Sequence, residues 1–68
     1  MSKVKTNAKD VNFVQMSMKE GYGIDWYTIF RIGKTSEFKI TIQGDGYTSY
    51  TGSEGHVQAL LDEAWRIV

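Results

Sequence analysis

The chain has 68 residues, with eight basic and eight acidic side chains and a formal net charge of zero. It contains no cysteine, which excludes disulfides and every cysteine-ligated zinc or iron–sulfur site. A chain of this length forms one domain that buries roughly 60% of its unfolded surface, so little room is left for a deep pocket.

The first ten residues show no hydrophobic periodicity. They contain three lysines and one aspartate, and apart from Met1 only Val4 and Ala8 are apolar. We therefore expect residues 1–10 to form a flexible basic arm and residues 11–68 to form the folded domain. The lysines are not followed by a run of about 7–15 apolar residues, so the sequence predicts no secretory signal and a cytoplasmic location is the default expectation.

Alternating apolar residues predict three strands, at residues 11–19, 24–32 and 37–43. In all three strands we expect the even-numbered side chains to point into the core and the odd-numbered ones to point outward. The glycine-containing connections are short, which makes neighbouring strands antiparallel. Residues 47–51 are short, polar and β-prone, and they form either an edge strand or an extended link.

After residue 52 the hydrophobic period changes from two to about 3.6. The apolar stripe predicts a helix over residues 53–68, roughly 24 Å long, with Ser53 as its N-cap. Asp62 and Arg66 are predicted to form an i,i+4 pair on its outer side. The residues of the stripe are Val57, Leu60, Leu61, Ala64, Trp65 and Val68.

These elements predict an α+β fold, a three- or four-stranded antiparallel β-meander with one C-terminal α-helix packed on one face. The predicted core combines the even-numbered strand residues with the helix stripe. Its members are Val14, Met16, Met18, Ile24, Trp26, Phe30, Ile32, Phe38, Ile40, Ile42, Val57, Leu60, Leu61, Ala64 and Trp65.

The sequence offers little for catalysis or for metal binding. Its only histidine, His56, lies in the first turn of the predicted helix, and there is no cysteine or nucleophile-elbow motif beside it. Gly44-Asp45-Gly46 supplies a single acidic residue where a calcium loop needs several. We expect no enzymatic activity, no metal and no cofactor.

One helix can cover only one face of the sheet, and the other face stays open. The predicted open face carries aromatic side chains and arginine, which are typical of protein interfaces. We expect a protein partner, or a second copy of the chain, to bind this face and two neighbouring turns, and we expect no membrane association. The residues predicted to make these contacts are Phe13, Tyr27, Ile29, Arg31, Lys39, Tyr22 and Asp45.

Nucleic-acid binding is the alternative interpretation. Bases would stack on Phe13 and Tyr27, and phosphates would contact Arg31, Lys39 and the arm residues Lys3, Lys5 and Lys9. Residues 1–19 carry a net charge of +3 and the rest of the chain −3, a poor overall match to a polyanion. A third interpretation treats these residues as the scattered apolar groups of an ordinary sheet surface.

The favoured function is that of a small non-enzymatic binding protein that occupies a partner's surface. Phage-encoded inhibitors of host systems, including anti-CRISPR proteins, have a similar length and layout, although they share no motif with this chain.

Overall fold

The computed structural model describes residues 7–64, 66 and 67, and it confirms the α+β fold. Among these residues, no helix is long and apolar enough to cross a membrane. The elements in chain order are a 3₁₀ helix (Ala8–Asp10), strands β1 (Phe13–Glu20), β2 (Gly23–Arg31), β3 (Glu37–Gln43) and β4 (Tyr47–Ser53), helix α1 (Glu54–Glu63) and strand β5 (Arg66–Ile67).

The strands form one antiparallel sheet in the order β4-β3-β2-β1-β5. The first four make the predicted meander, and residues 47–51 belong to the edge strand β4. Helix α1 follows β4 at one edge, and the chain then returns at the other edge, where β5 pairs with β1. The molecule is a slab of 36 × 33 × 16 Å. Its smallest dimension is the thickness of one sheet layer and one helix layer.

Strand β2 turns its odd-numbered residues toward the helix. The turn between β1 and β2 contains two residues, Gly21 and Tyr22, and it sets a register in which Val14 pairs with Ile29. Gly21 has φ 57°, the positive value that a tight hairpin turn requires. Pairing with strand β3 gives β2 the same orientation, because Ile29 also pairs with Ile40. Paired residues share a face, so the inward even-numbered residues of β1 and β3 bring Ile29 inward with them.

The predicted orientation of β2 is therefore wrong. Trp26, Phe30 and Ile32 were expected in the core but are exposed, and Ile24 is only half-buried. Ile29, expected on the open face, is fully buried. The apolar character of β2 is similar on its two faces, and the register of its two neighbours decides which face is covered.

The core lies between the sheet and the helix. Its strand residues are the predicted ones on β1 and β3, joined by Ile29 from β2. Ala8, Val11, Tyr27, Tyr50 and Ile67 pack there in addition. The buried hydrophobic residues are Ala8, Val14, Met16, Met18, Ile29, Phe38, Ile40, Val57, Leu61 and Ala64, and Ile42 and Leu60 are partly buried. Trp65, also predicted in the core, lies outside the described residues.

Helix α1 begins where the sequence predicts. The backbone N–H of His56 donates to Ser53 Oγ at 3.2 Å, which confirms Ser53 as the N-cap. The helix ends at Glu63 and Arg66 belongs to β5, so Asp62 and Arg66 are not the helical i,i+4 pair that was predicted. Gln58 Nε2 donates to Asp62 Oδ1 at 3.1 Å.

The early end of the helix has a tertiary cause. Met16 and Ser17 are fully buried on β1, and their backbone groups at the sheet edge need hydrogen-bond partners. Strand β5 supplies them, through the register pairs Met16–Ile67 and Ser17–Arg66. Val68, predicted in the helix stripe, lies outside the described residues.

The end of the predicted arm is folded onto the domain. Residues 1–6 lie outside the described residues, but Ala8–Asp10 forms the 3₁₀ helix, capped by the Asn7 side chain. Ala8 is buried, and its backbone N–H donates to Gln58 Oε1 on α1 at 2.8 Å. Lys9 is consequently placed on the helix side of the sheet.

Candidate binding surface

The sheet face opposite α1, called the outer face here, carries a group of exposed aromatic side chains. They come from three different strands: Phe13 of β1 is 60% exposed, Trp26 and Phe30 of β2 are 50% and 43% exposed, and Tyr47 of β4 is 71% exposed. Ile32, just after β2, is also exposed. The exposed aromatic side chains of β2 are thus on the side of that strand that was predicted to be buried.

The register arranges these residues in two rows across the sheet. In one row Phe13 pairs with Phe30, which pairs with Lys39. In the other row Trp26 lies between Ser17 and Gln43, and Gln43 pairs with Tyr47. The row between them contains only amide and hydroxyl side chains, Gln15, Thr28, Thr41 and Ser49. Directly paired side chains have Cβ atoms about 5 Å apart, so Phe13 and Phe30 form one continuous aromatic surface.

The fold also sorts the charges between its two sides. The outward positions of the strands carry Lys19, Lys39 and Arg66 but only one acid, Glu37, a net of +2. The other charged residues between 7 and 67 are three basic and seven acidic, a net of −4. The outer face is therefore basic, although the chain as a whole is neutral. The charges are separated between the two sides of the sheet, and not only between the two ends of the sequence.

Ser17 is the polar group on this face with an unsatisfied hydrogen bond. It is fully buried, and its hydroxyl has no hydrogen-bond partner among the described residues. Its register neighbours on the outer face are Trp26 on β2 and Arg66 on β5. A buried hydroxyl without a hydrogen-bond partner costs free energy of folding.

Of the predicted contact residues on the strands, two lie on the outer face and three do not. Phe13 and Lys39 point outward, as expected. Tyr27 and Ile29 lie on the helix side, half-buried and fully buried respectively, where a partner at the outer face cannot reach them. The predictions missed Trp26, Phe30 and Tyr47. A two-residue turn at Gly21 and Tyr22 fixes the register of β2 against β1, and that register places Trp26 and Phe30 on the outer face.

Arg31 was expected to contact a partner, but its guanidinium makes internal hydrogen bonds. Nε donates to Asn12 Oδ1 at 3.1 Å, and Nη1 donates to the Thr35 carbonyl at 2.7 Å. Nη1 also forms an ion pair with Glu54 at 3.5 Å. Nη2 donates to three carbonyls, those of Ala8, Lys9 and Val11, at 3.0–3.1 Å.

The guanidinium also lies over the Phe38 ring, with its Cζ 4.5 Å from the ring centroid. Each of its five N–H groups has an acceptor within the chain. Arg31 therefore joins the 3₁₀ helix, the β2–β3 turn and helix α1.

The two predicted turn residues do come together. Tyr22 and Asp45 line an open pocket of about 430 Å³ with Gly23, Ile24 and Asp25. Tyr22 is fully exposed at the tip of the β1–β2 turn. The phenol of Tyr22 and the carboxylates of Asp25 and Asp45 suit a polar or cationic group.

His56 is used in packing at the start of α1. Its Nε2 is 2.7 Å from the Tyr50 hydroxyl, and the two rings meet edge to face at 5.5 Å. Burial raises the pKa of the Tyr50 phenol above its ordinary value of 10.0, a value at which the hydroxyl is already protonated at neutral pH. The neutral phenol can then donate to the imidazole.

Within the described part of the chain, no three histidine, cysteine or acidic residues are grouped as a metal site would require. Comparison with known proteins adds no assignment, because the chain matches no family model, no curated protein and no solved structure.

Proposed function

We propose that the protein is a non-enzymatic binding module that engages a macromolecule through its outer face. The observation that supports this is the set of four exposed aromatic side chains on a sheet face that the helix does not cover. Aromatic residues dominate binding energy at interfaces because they bring large, rigid surfaces out of water.

The patch has the size of a binding site. With the exposed fractions given above, its aromatic residues present roughly 450 Å² of apolar surface to solvent. That is about a tenth of the total accessible surface of 4921 Å². Specific interfaces use a comparable share of a small protein. The surrounding amide, hydroxyl and basic side chains provide the polar rim that such interfaces have.

The expectation of an inhibitor is one form of this proposal, because small inhibitors act by occupying a partner's surface. Arg31, Tyr27 and Ile29 are no longer part of the proposed contact, and Trp26, Phe30 and Tyr47 replace them.

The test is site-specific photocross-linking in cells of the native host. A photoreactive residue replaces Gln15, which is exposed at the centre of the outer face, or Ala59, which is exposed on helix α1. We expect position 15 to cross-link to a protein or nucleic acid at least about fivefold more strongly than position 59, and Phe30→Ala to remove the product. Equal cross-linking at the two positions would overturn the proposal.

A further inference from the structure

We infer that the macromolecule bound by the outer face is a single-stranded nucleic acid. This inference rests on the proposed function and assigns the chemical class of the ligand. Three features of the outer face carry it: the placement of the aromatic rings, the sign of the charge, and the polar side chains between the rings.

The aromatic rings are spaced for several bases. Phe13 and Phe30 form one stacking surface, and Trp26 lies four residues along β2 from Phe30, roughly 13 Å away. Tyr47 lies two strands from Trp26 in the same row, roughly 10 Å away. Bases of an unpaired strand stack on such rings whatever their sequence, whereas the bases of a duplex are already stacked on each other.

Each aromatic row has a basic residue within reach. Lys39 is the register partner of Phe30, and Arg66 is separated from Trp26 only by Ser17. The face carries a net charge of +2 on a chain whose remaining described part is acidic. Phosphates would therefore be attracted to the outer face and repelled from the helix side, and this orients a polyanion on the sheet.

The polar side chains match the edges of bases. Gln15, Thr28 and Thr41 lie side by side between the two aromatic rows. Amide and hydroxyl groups both donate and accept hydrogen bonds, as base edges do.

The described end of the arm does not take part. Lys9 sits on the helix side, because its neighbour Ala8 is hydrogen-bonded to Gln58 of α1. This separates the present inference from binding through a basic arm, since Lys9 and Lys39 lie on opposite sides of the sheet.

The experiment measures binding of the full chain to fluorescein-labelled 20-mers by anisotropy. The oligonucleotides are dT20, rU20, a 20-base-pair duplex and an abasic 20-mer with the same number of phosphates. We expect dT20 or rU20 to bind at least about tenfold more tightly than the duplex and the abasic strand. Three basic residues on the face predict a slope of log K against log salt of about −2.

Variants assign the binding to the face. Trp26→Ser is expected to weaken binding by roughly 5- to 100-fold, the effect of losing one stacked base. Trp26→Phe keeps a stacking ring, so it should retain most of the affinity. Lys39→Gln should make the salt slope shallower by about 0.7, whereas the matched control Lys9→Gln should leave it unchanged.

Several results would overturn the inference. One is the absence of binding to dT20 and rU20 at 50 mM salt, and another is equal binding of the abasic strand. A loss of affinity on Lys9→Gln without a loss on Lys39→Gln would place binding on the arm. If Gln15 cross-links to a protein while oligonucleotides do not bind, the ligand class is wrong and the proposed function stands. If neither occurs, both fail.

Discussion

Arg31 has a structural role in place of the partner contact that the sequence predicted for it. In the sequence it is an arginine at an outward position of an aromatic-rich strand, which is typical of an interface anchor. In the structure its side chain is only 12% exposed, and its planar group joins Glu54 to the carbonyls of Ala8, Lys9 and Val11. These three carbonyls lie 20–23 residues from Arg31 in the sequence, and no motif indicates such a contact.

Arg31→Lys is expected to lower the free energy of unfolding by about 2 kcal/mol. Lysine keeps the positive charge, but it cannot present five donors in one plane, so several backbone carbonyls, two of them partly buried, lose their hydrogen-bond partners. Urea denaturation followed by circular dichroism measures the change. Arg66→Lys, at an exposed position of β5, is the control and should stay within about 0.5 kcal/mol of the wild type. A change equally small for Arg31→Lys would contradict the structural role given to this residue.

The elements of secondary structure divide into those with a local cause and those with a tertiary one. Strand β3 begins and ends where its alternation predicts, and the Ser53 cap marks the start of α1. The end of α1 has no such signal. Strand β5 forms because the buried edge of β1 needs hydrogen-bond partners, and that edge exists only after the sheet has assembled.

The junction of β4 and α1 depends on Gly52. A Cβ at this position would lie 2.7 Å from Cδ1 of the buried Ile40 and 2.9 Å from Cδ2 of His56, whose ring is hydrogen-bonded to Tyr50. Both distances are shorter than van der Waals contact. We expect Gly52→Ala to destabilise the protein by about 2 kcal/mol.

Thermal and urea unfolding of Gly52→Ala measure this cost. Gly46→Ala is the matched control, because a Cβ there meets no atom within 4 Å and alanine reduces the freedom of the unfolded chain. The control should equal or slightly exceed the wild type in stability. If both variants behaved alike, the close packing at Gly52 would be wrong.

On the scale of the whole molecule, the helix covers the side of the sheet that carries the odd-numbered residues of β2. Ile29 points to the helix side of the sheet and is buried, and the next residue, Phe30, points to the outer face. The same choice sorts the charged residues, so that a chain with no net charge has one basic side. The outer face thereby becomes the place where we propose that function resides.

Neighbouring alanine substitutions in β2 test this choice directly. Ile29→Ala removes a fully buried side chain and should cost about 3 kcal/mol. Phe30→Ala removes a larger side chain, but one that is already partly in water, and should cost about 1 kcal/mol. Chemical denaturation of the two variants gives both values. The opposite order would show that the helix covers the even-numbered face of β2, and that the outer face described here is the core.

The sequence by itself determined the fold class, the antiparallel meander of at least three strands, the start of the helix and the exclusion of thiol chemistry, because each depends on composition or on local periodicity. Tertiary structure alone decided the orientation of β2, the fifth strand and the role of Arg31. Strand β2 carries apolar residues on both faces, so its own pattern is compatible with either orientation. Only pairing with β1 and β3, whose alternation is unambiguous, selects the side that is buried and leaves the aromatic side open.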